Sequence, residues 1–473
     1  MRGVGPVIAM TAAVWLSLFG CTPGPGRDGD RQGGATGETG VLAGRFIAVL
    51  GDSDMNAAPA GTLFQRSDRD RLTVLALPIT PPAGGEARWS TRLAQVPASN
   101  SALGPPGALA ITPDGKRAYV IEAFTPAGRT RDGLATDVGG VLPGESVTPI
   151  DLSEPSAPRA LAPVPVGLSP QSVDVHPSGQ YVAVATTEPG QQIVLLKVGN
   201  EATRPLAWPL LGINLDEPAA VGTILWHPTG RYLAIALPEL DQVALLEFAK
   251  DKASGLPSLA PWGAPVRVPS TPSNLRFTPD GRHLLVTSIN APRSALSGAL
   301  PAGSLTAVRL SEVPSETSVA GAALRGLVDH RVVSSQPVGP LPEGLAVSPG
   351  GELVVVACWR GPSLFAGAAV AQGGGLFAFR IDSETGALSV ATVRQLTGVP
   401  TALAFDARGE HLIVAQLRSA DPAAVDGELD FYRVSGLRPV AGSGAGWVGG
   451  AIRLEPLGFA VGVGPGPHAL VVR

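Results

Sequence analysis

Six stretches of the chain repeat one pattern: an apolar run, a tight turn ending in glycine, and a second apolar run. They are ALAITPDGKRAYVIE (residues 108–122), SVDVHPSGQYVAVAT (172–186), TILWHPTGRYLAIAL (223–237), NLRFTPDGRHLLVTS (274–288), GLAVSPGGELVVVAC (344–358) and ALAFDARGEHLIVAQ (402–416). Self-similarity at a period of about 50 to 70 residues demands a radial or stacked fold, because one such unit cannot bury its own apolar face. Between the repeats runs a third apolar segment in seven copies: LTVLAL (72–77), VTPIDL (147–152), IVLLKV (193–198), VALLEF (243–248), LTAVRL (305–310), LFAFRI (376–381) and LDFYRV (429–434). A fourth strand candidate follows, as at 264–268 and 388–395. Four antiparallel strands in each of seven units predict an all-β, seven-bladed β-propeller over residues 45–473.

The seventh unit is split between the two ends of the repeat region. RFIAVLGDSD (45–54) reads as a second strand lacking a first, and PGPHALVVR (465–473) as a first strand lacking a second. Pairing the C-terminal strand with the N-terminal blade closes the ring and removes the open edge between blades one and seven. Composition agrees: 44% hydrophobic and 16% charged residues, with 60 Gly and 46 Pro largely between the apolar runs, suit many short strands joined by tight turns.

Pro113-Asp114-Gly115 followed by Tyr119-Val120 resembles the motif of the YVTN-repeat and lactonase-like (6-phosphogluconolactonase-like) propeller family. The likeness spans about 430 residues and its motif is structural: the turn glycine supplies the positive φ that a tight hairpin needs. The resemblance implies a seven-bladed ring and, as one expectation, lactonase-type hydrolysis. Pro467-His468 matches in part the Pro-Arg-His stretch of lactonase-like relatives, although the arginine is absent here.

The N-terminal segment predicts export. Arg2 gives a positive start, residues 7–19 form an apolar stretch short for a bilayer span, and Leu18-Phe19-Gly20-Cys21 resembles a bacterial lipoprotein cleavage box. That resemblance implies that residues 1–20 are a signal peptide cleaved before a lipidated Cys21, an ordinary secretory signal or an uncleaved anchor being the alternative. Several acyl chains would anchor the protein stably to the membrane on the periplasmic or extracellular side. Residues 21–44 hold almost no apolar content after Cys21 and read as a Gly-rich tether. Cys358 ends an apolar run and is expected as a buried small hydrophobe.

A net charge of -4, with no Lys/Arg stretch interleaved with aromatics, argues against nucleic acid as a partner. No phosphate-cradling glycine loop, nucleophile elbow or zinc-binding His-Glu helix is visible, so no cofactor and no metal is expected. His176 and His227 precede the turn at equivalent places, and His283 and His411 follow it, too dispersed around a ring for a tetrahedral site. The tryptophans read as blade packing.

Loops between second and third strands are long in blades one, two, five, six and seven and short in blades three and four. Long loops on a rigid scaffold carry binding functions. The candidate ligand-binding residues are Arg293, Trp359, Arg360, Gln416 and Arg418 on this rim, with Asp174 and Arg276 pointing into the channel by period-two alternation. Glu122, Glu343 and His468 are the candidate catalytic residues. Three functional expectations follow: a lipid-anchored monomer that serves as a platform for an envelope protein or a small anionic or carbonyl-bearing ligand; a lactonase-like hydrolase at the channel mouth; or a structural component of an envelope complex. Fold alone does not separate them.

Overall fold

The computed structural model describes residues 42–53, 69–79, 88–89, 93–99, 107–124, 143–199, 206–208, 220–251, 253–291, 301–311, 328–359, 374–417, 427–437 and 450–473. The described strands form seven sheets, antiparallel but for one short pairing, each ordered from an inner strand outward. The inner strands are Leu109–Ile111 in blade two, Ser172–Val175 in three, Thr223–Trp226 in four, Pro272–Phe277 in five, Pro342–Val347 in six and Pro400–Phe405 in seven. Blade one takes its inner strand, Pro467–Val472, from the far end of the chain. It pairs antiparallel with Phe46–Gly51, with Ile47 opposite Val472 and Leu50 opposite Ala469. The expected closure is therefore present.

The ring is also locked by a contact the sequence did not announce. Arg88–Trp89, from blade one's stretch of chain, pairs parallel with Arg453–Gly464, the fourth strand of blade seven. Residues 42–44, expected as the end of the tether, are fixed instead: Leu42 is buried and the Ala43 N–H donates to Asp406 Oδ2 at 3.0 Å. In blade four the fourth strand is Pro257–Pro261, while Val266–Arg267, inside the expected segment, pairs the other end of the same third strand.

Each repeat behaves as its residues require. The turn glycine takes a positive φ in all six copies, from 68° at Gly115 to 80° at Gly351, a region where a Cβ is strained. Alternation along the inner strands buries Val173, Ile224, Leu275, Leu345 and Leu403 between blades. The core is thus a set of inter-blade layers. Between blades four and five, Tyr232 stacks on Trp262 with centroids 3.5 Å apart beside Leu275 and Val286. Trp226 and Trp262 are packing residues, as expected, and Cys358 is buried.

Candidate functional site

Four consecutive blades share an irregularity at the start of the inner strand. The register slips by one residue between Pro272 and Asn274, Pro342 and Gly344, and Pro400 and Ala402. In blade one the partners of Gly51 and Leu50 are Pro467 and Ala469, with His468 passed over. Each is a bulge following a proline, and the extra residues are Ser273 in blade five, Glu343 in six, Thr401 in seven and His468 in one. A bulge places a side chain that a regular strand would aim elsewhere.

Two of these residues stitch the ring. Ser273 Oγ donates to Pro342 O of the next blade at 3.2 Å, and Thr401 Oγ1 donates to Pro467 O of the next blade at 2.5 Å. The residues at the same bulge in the alternating blades are ionisable and do no such thing. The Glu343 carboxyl has no hydrogen-bond partner among the described residues, and desolvation raises its pKa to about 7. His468 is 5% exposed, and its Nδ1 lies 3.2 Å from Gly466 O. A carbonyl only accepts, so Nδ1 carries the proton and Nε2 presents a bare lone pair. That Nε2 is buried with no partner, and desolvation lowers the imidazole pKa to about 4. Near neutrality the equivalent bulges of blades one and six thus hold a neutral imidazole and a carboxyl close to half protonated, separated by blade seven.

Asp174 and Arg276 lie deeper, on inner strands two blades apart, and both line the lower channel. They are not an ion pair. Asp174 Oδ2 accepts the Trp226 N–H of blade four at 2.7 Å and Oδ1 accepts the Val175 N–H at 2.9 Å, so the carboxylate caps a strand edge facing the channel. Burial, outweighing these bonds, raises its pKa to about 6. Arg276 Nη1 donates to Leu275 O at 2.8 Å and Asn274 Oδ1 at 3.2 Å.

The remaining candidates are not gathered at one place. Glu122 accepts a hydrogen bond from Ser146 Oγ at 2.8 Å, across the second and third strands of blade two and away from the inner strands. Gln416 is buried and donates through Nε2 to Asp430 Oδ2 on blade seven. Trp359 is half-buried with its backbone N–H on Leu341 O, and its indole Nε1 has no partner. Arg293, Arg360, Arg418, Cys21 and the signal segment lie outside the described residues, as do most residues of the long loops. Among the described residues no cluster of three His, Cys, Asp or Glu could hold a metal ion.

Sequence reasoning missed Ser273, Thr401 and the kinship between Glu343 and His468. The signal was there as four trios, Pro272-Ser273-Asn274, Pro342-Glu343-Gly344, Pro400-Thr401-Ala402 and Pro467-His468-Ala469. Each begins two residues before the repeat as first aligned, except in blade one, which has no turn repeat beside it.

No protein-family profile and no curated protein matches the chain. Solved structures do match in fold. A provisionally assigned 6-phosphogluconolactonase from Bacteroides uniformis ATCC 8492 superposes with a TM-score of 0.53 at 15% identity, over 91% of this chain and 100% of that one. A second, from Bacteroides fragilis NCTC 9343, gives 0.54 at 15% identity, over 91% and 98%. The periplasmic gluconolactonase of Pseudomonas aeruginosa gives 0.54 at 17% identity, over 91% and 99%. The chain has the fold of the lactonase-like seven-bladed propellers.

Proposed function

We propose that the protein is an exported, lipid-anchored hydrolase of cyclic esters, with its site at the channel mouth where Glu343 and His468 occupy equivalent bulges. The observation that carries this is the pair of unpartnered ionisable side chains in blades six and one, where blades five and seven place hydroxyls committed to the scaffold. A base with a bare Nε2 and an acid with a raised pKa are the two groups that lactone opening needs. His468 Nε2 takes a proton from water as its oxygen adds to the lactone carbonyl. The C–O bond to the ring oxygen then breaks and protonated Glu343 supplies that oxygen with its proton. The product is a hydroxy acid; the proton on His468 and the one Glu343 has given up balance, and exchange with solvent restores both groups. The fold shared with gluconolactonases supports the same choice of chemistry, and the periplasmic relative agrees with the export that residues 1–21 predict.

The test is turnover of a panel of five- and six-membered lactones by the detergent-solubilised full chain. His468→Ala is expected to lose about 10²- to 10⁴-fold in kcat, as removal of a general base does. Hydrolysis at the parental rate in both His468→Ala and Glu343→Gln rules the site out. The anchor is tested separately, by labelling with a fatty acid that Cys21→Ser should abolish. The interaction-platform alternative rests on the uneven long loops, with Trp359 and Arg360 as its key residues; Arg360 and most residues of those loops lie outside the described residues.

A further inference from the structure

The lower channel has its own chemistry, independent of the mouth. A cavity of about 350 Å³ opens there among the inner strands, with Asp174, Leu225, Arg276, Ala346, Ala404 and Val471 on its wall and neither Glu343 nor His468 among its lining. Its size falls at the small end of ligand pockets, and its wall mixes polar and charged groups with the apolar side chains of Leu225, Ala346, Ala404 and Val471.

Arg276 is the group that looks for a partner. Its Nη1 is held by Leu275 O and by Asn274 Oδ1. Asn274 is itself fixed, accepting the Leu275 N–H at 2.8 Å and donating to Glu343 O at 2.9 Å. The guanidinium is therefore clamped at one end, while Nε and Nη2 have no partner among the described residues. Those two nitrogens form the edge that meets a carboxylate with two parallel N–H bonds. Asp174 acts on Arg276 through its charge but makes no hydrogen bond to it. Asp174 spends one lone pair of each oxygen on a strand edge. Arg473, also on the wall, donates to Ile111 O, Thr112 O and Val472 O. Two guanidinium groups, Arg276 and Arg473, and one carboxylate, Asp174, are the charged side chains on the described wall.

We infer that the lower channel binds a small aliphatic carboxylate, its oxygens on the Nε–Nη2 edge of Arg276 and its carbon chain against Leu225, Ala346, Ala404 and Val471. Arg276 is half-buried with that edge open to the cavity, so an incoming carboxylate can pair it while the apolar side chains take the chain.

Calorimetric titration of the full chain in detergent with butyrate, with butyramide as the neutral control and inorganic phosphate as an anion without a chain, tests this. Butyrate is expected to bind once per chain, at least about tenfold more tightly than either control, a difference that separates cleanly in dissociation constant. Arg276→Gln should lose that binding, and Arg276→Lys, which keeps the charge but not the fork, should lose the preference for butyrate over phosphate. His468→Ala should bind butyrate as the parent does, which separates this site from the catalytic proposal. No heat from butyrate at roughly 20 mM overturns the inference. So does butyrate binding that survives both arginine substitutions, and equal affinity for phosphate overturns the aliphatic-carboxylate assignment.

Discussion

His176 and His227, one residue before the turn proline of blades three and four, each hold two blades together. His227 Nδ1 accepts the Thr229 N–H at 3.2 Å, so Nε2 carries the proton and donates to Gly281 O of the next blade at 2.9 Å. His176 repeats this with Ser178 and Gly230. Rings close the arrangement, with His227 edge-on to both Tyr232 and Phe277. Replacing His227 by Ala removes a turn cap, an inter-blade bond and both ring contacts, and should cost about 2–4 kcal/mol, read from the denaturant midpoint. Protonation of Nδ1 would break the cap, and desolvation lowers both pKa values from 6.5. Below pH 6.5 the unfolded chain therefore takes up more protons than the folded one, and the stability these residues give is lost as pH falls. The midpoint should drop between pH 7 and pH 5, more shallowly in His227→Gln than in the parent. Comparison of the internal repeats places these histidines at one ring position, an arrangement from which no shared metal is expected. It does not reveal their task, because each partner carbonyl lies 54 residues away and belongs to a turn whose orientation only the closed ring defines.

Among elements, the proline-led bulge of the inner strand separates scaffold from chemistry. Thr401→Val keeps the shape but removes the hydroxyl's bonds to Ala415 O and to Pro467 O at the closing blade, and should lower stability by about 1–2 kcal/mol without altering a lactone's kcat. Glu343→Ser is the opposite case, since it installs the hydroxyl that Ser273 uses. Desolvation puts the folded pKa of Glu343 at about 7, above the ordinary 4.5. The folded chain therefore holds its proton longer, and a stability penalty develops as pH rises from 4.5 through 7. Glu343→Ser should be more stable than the parent at pH 8, equal to it at pH 4, and inactive at both, the trade expected of a residue kept for chemistry. Parental turnover should in turn peak between pH 4 and pH 7, the acid limb reporting His468 and the alkaline limb Glu343. A pH–rate profile still rising above pH 8, after subtraction of spontaneous hydrolysis, would contradict both roles. The turns of the repeat are legible in sequence because glycine and period act locally. The bulge is not, because it exists only relative to the register of the second strand, and Pro342-Glu343-Gly344 looks like any loop until Pro342 is seen opposite Cys358.

At the scale of the whole molecule, the ring is a single object because its first and last described strands share a sheet. Two strand remnants with no neighbour in sequence sufficed to foresee that pairing, whereas Arg88–Trp89 against blade seven is two residues long and leaves no periodicity to read. The closing strand contributes buried Ala469 and Leu470, and the backbone N–H groups of Arg45 and Phe46 donate to Arg473 O. It also holds His468 at its bulge, and Val471 with the following Arg473 lies on the wall of the lower channel, so closure and both proposed sites depend on this end of the chain. A chain ending at Gly464 would leave Phe46–Gly51 with an open edge and an uncovered apolar face, the condition under which sheets pair with other chains. It should lose its cooperative thermal transition, associate in solution and hydrolyse no lactone. A synthetic peptide of residues 465–473 added in trans should restore the transition, because the vacant edge selects its register through Val49 opposite Leu470 and Ile47 opposite Val472. The same peptide with His468 replaced by Ala should restore folding without hydrolysis, which divides the strand's structural task from its chemical one. A truncated chain that melts like the parent would mean that the seven sheets hold together without the seam, and that His468 stands at the mouth for some other reason.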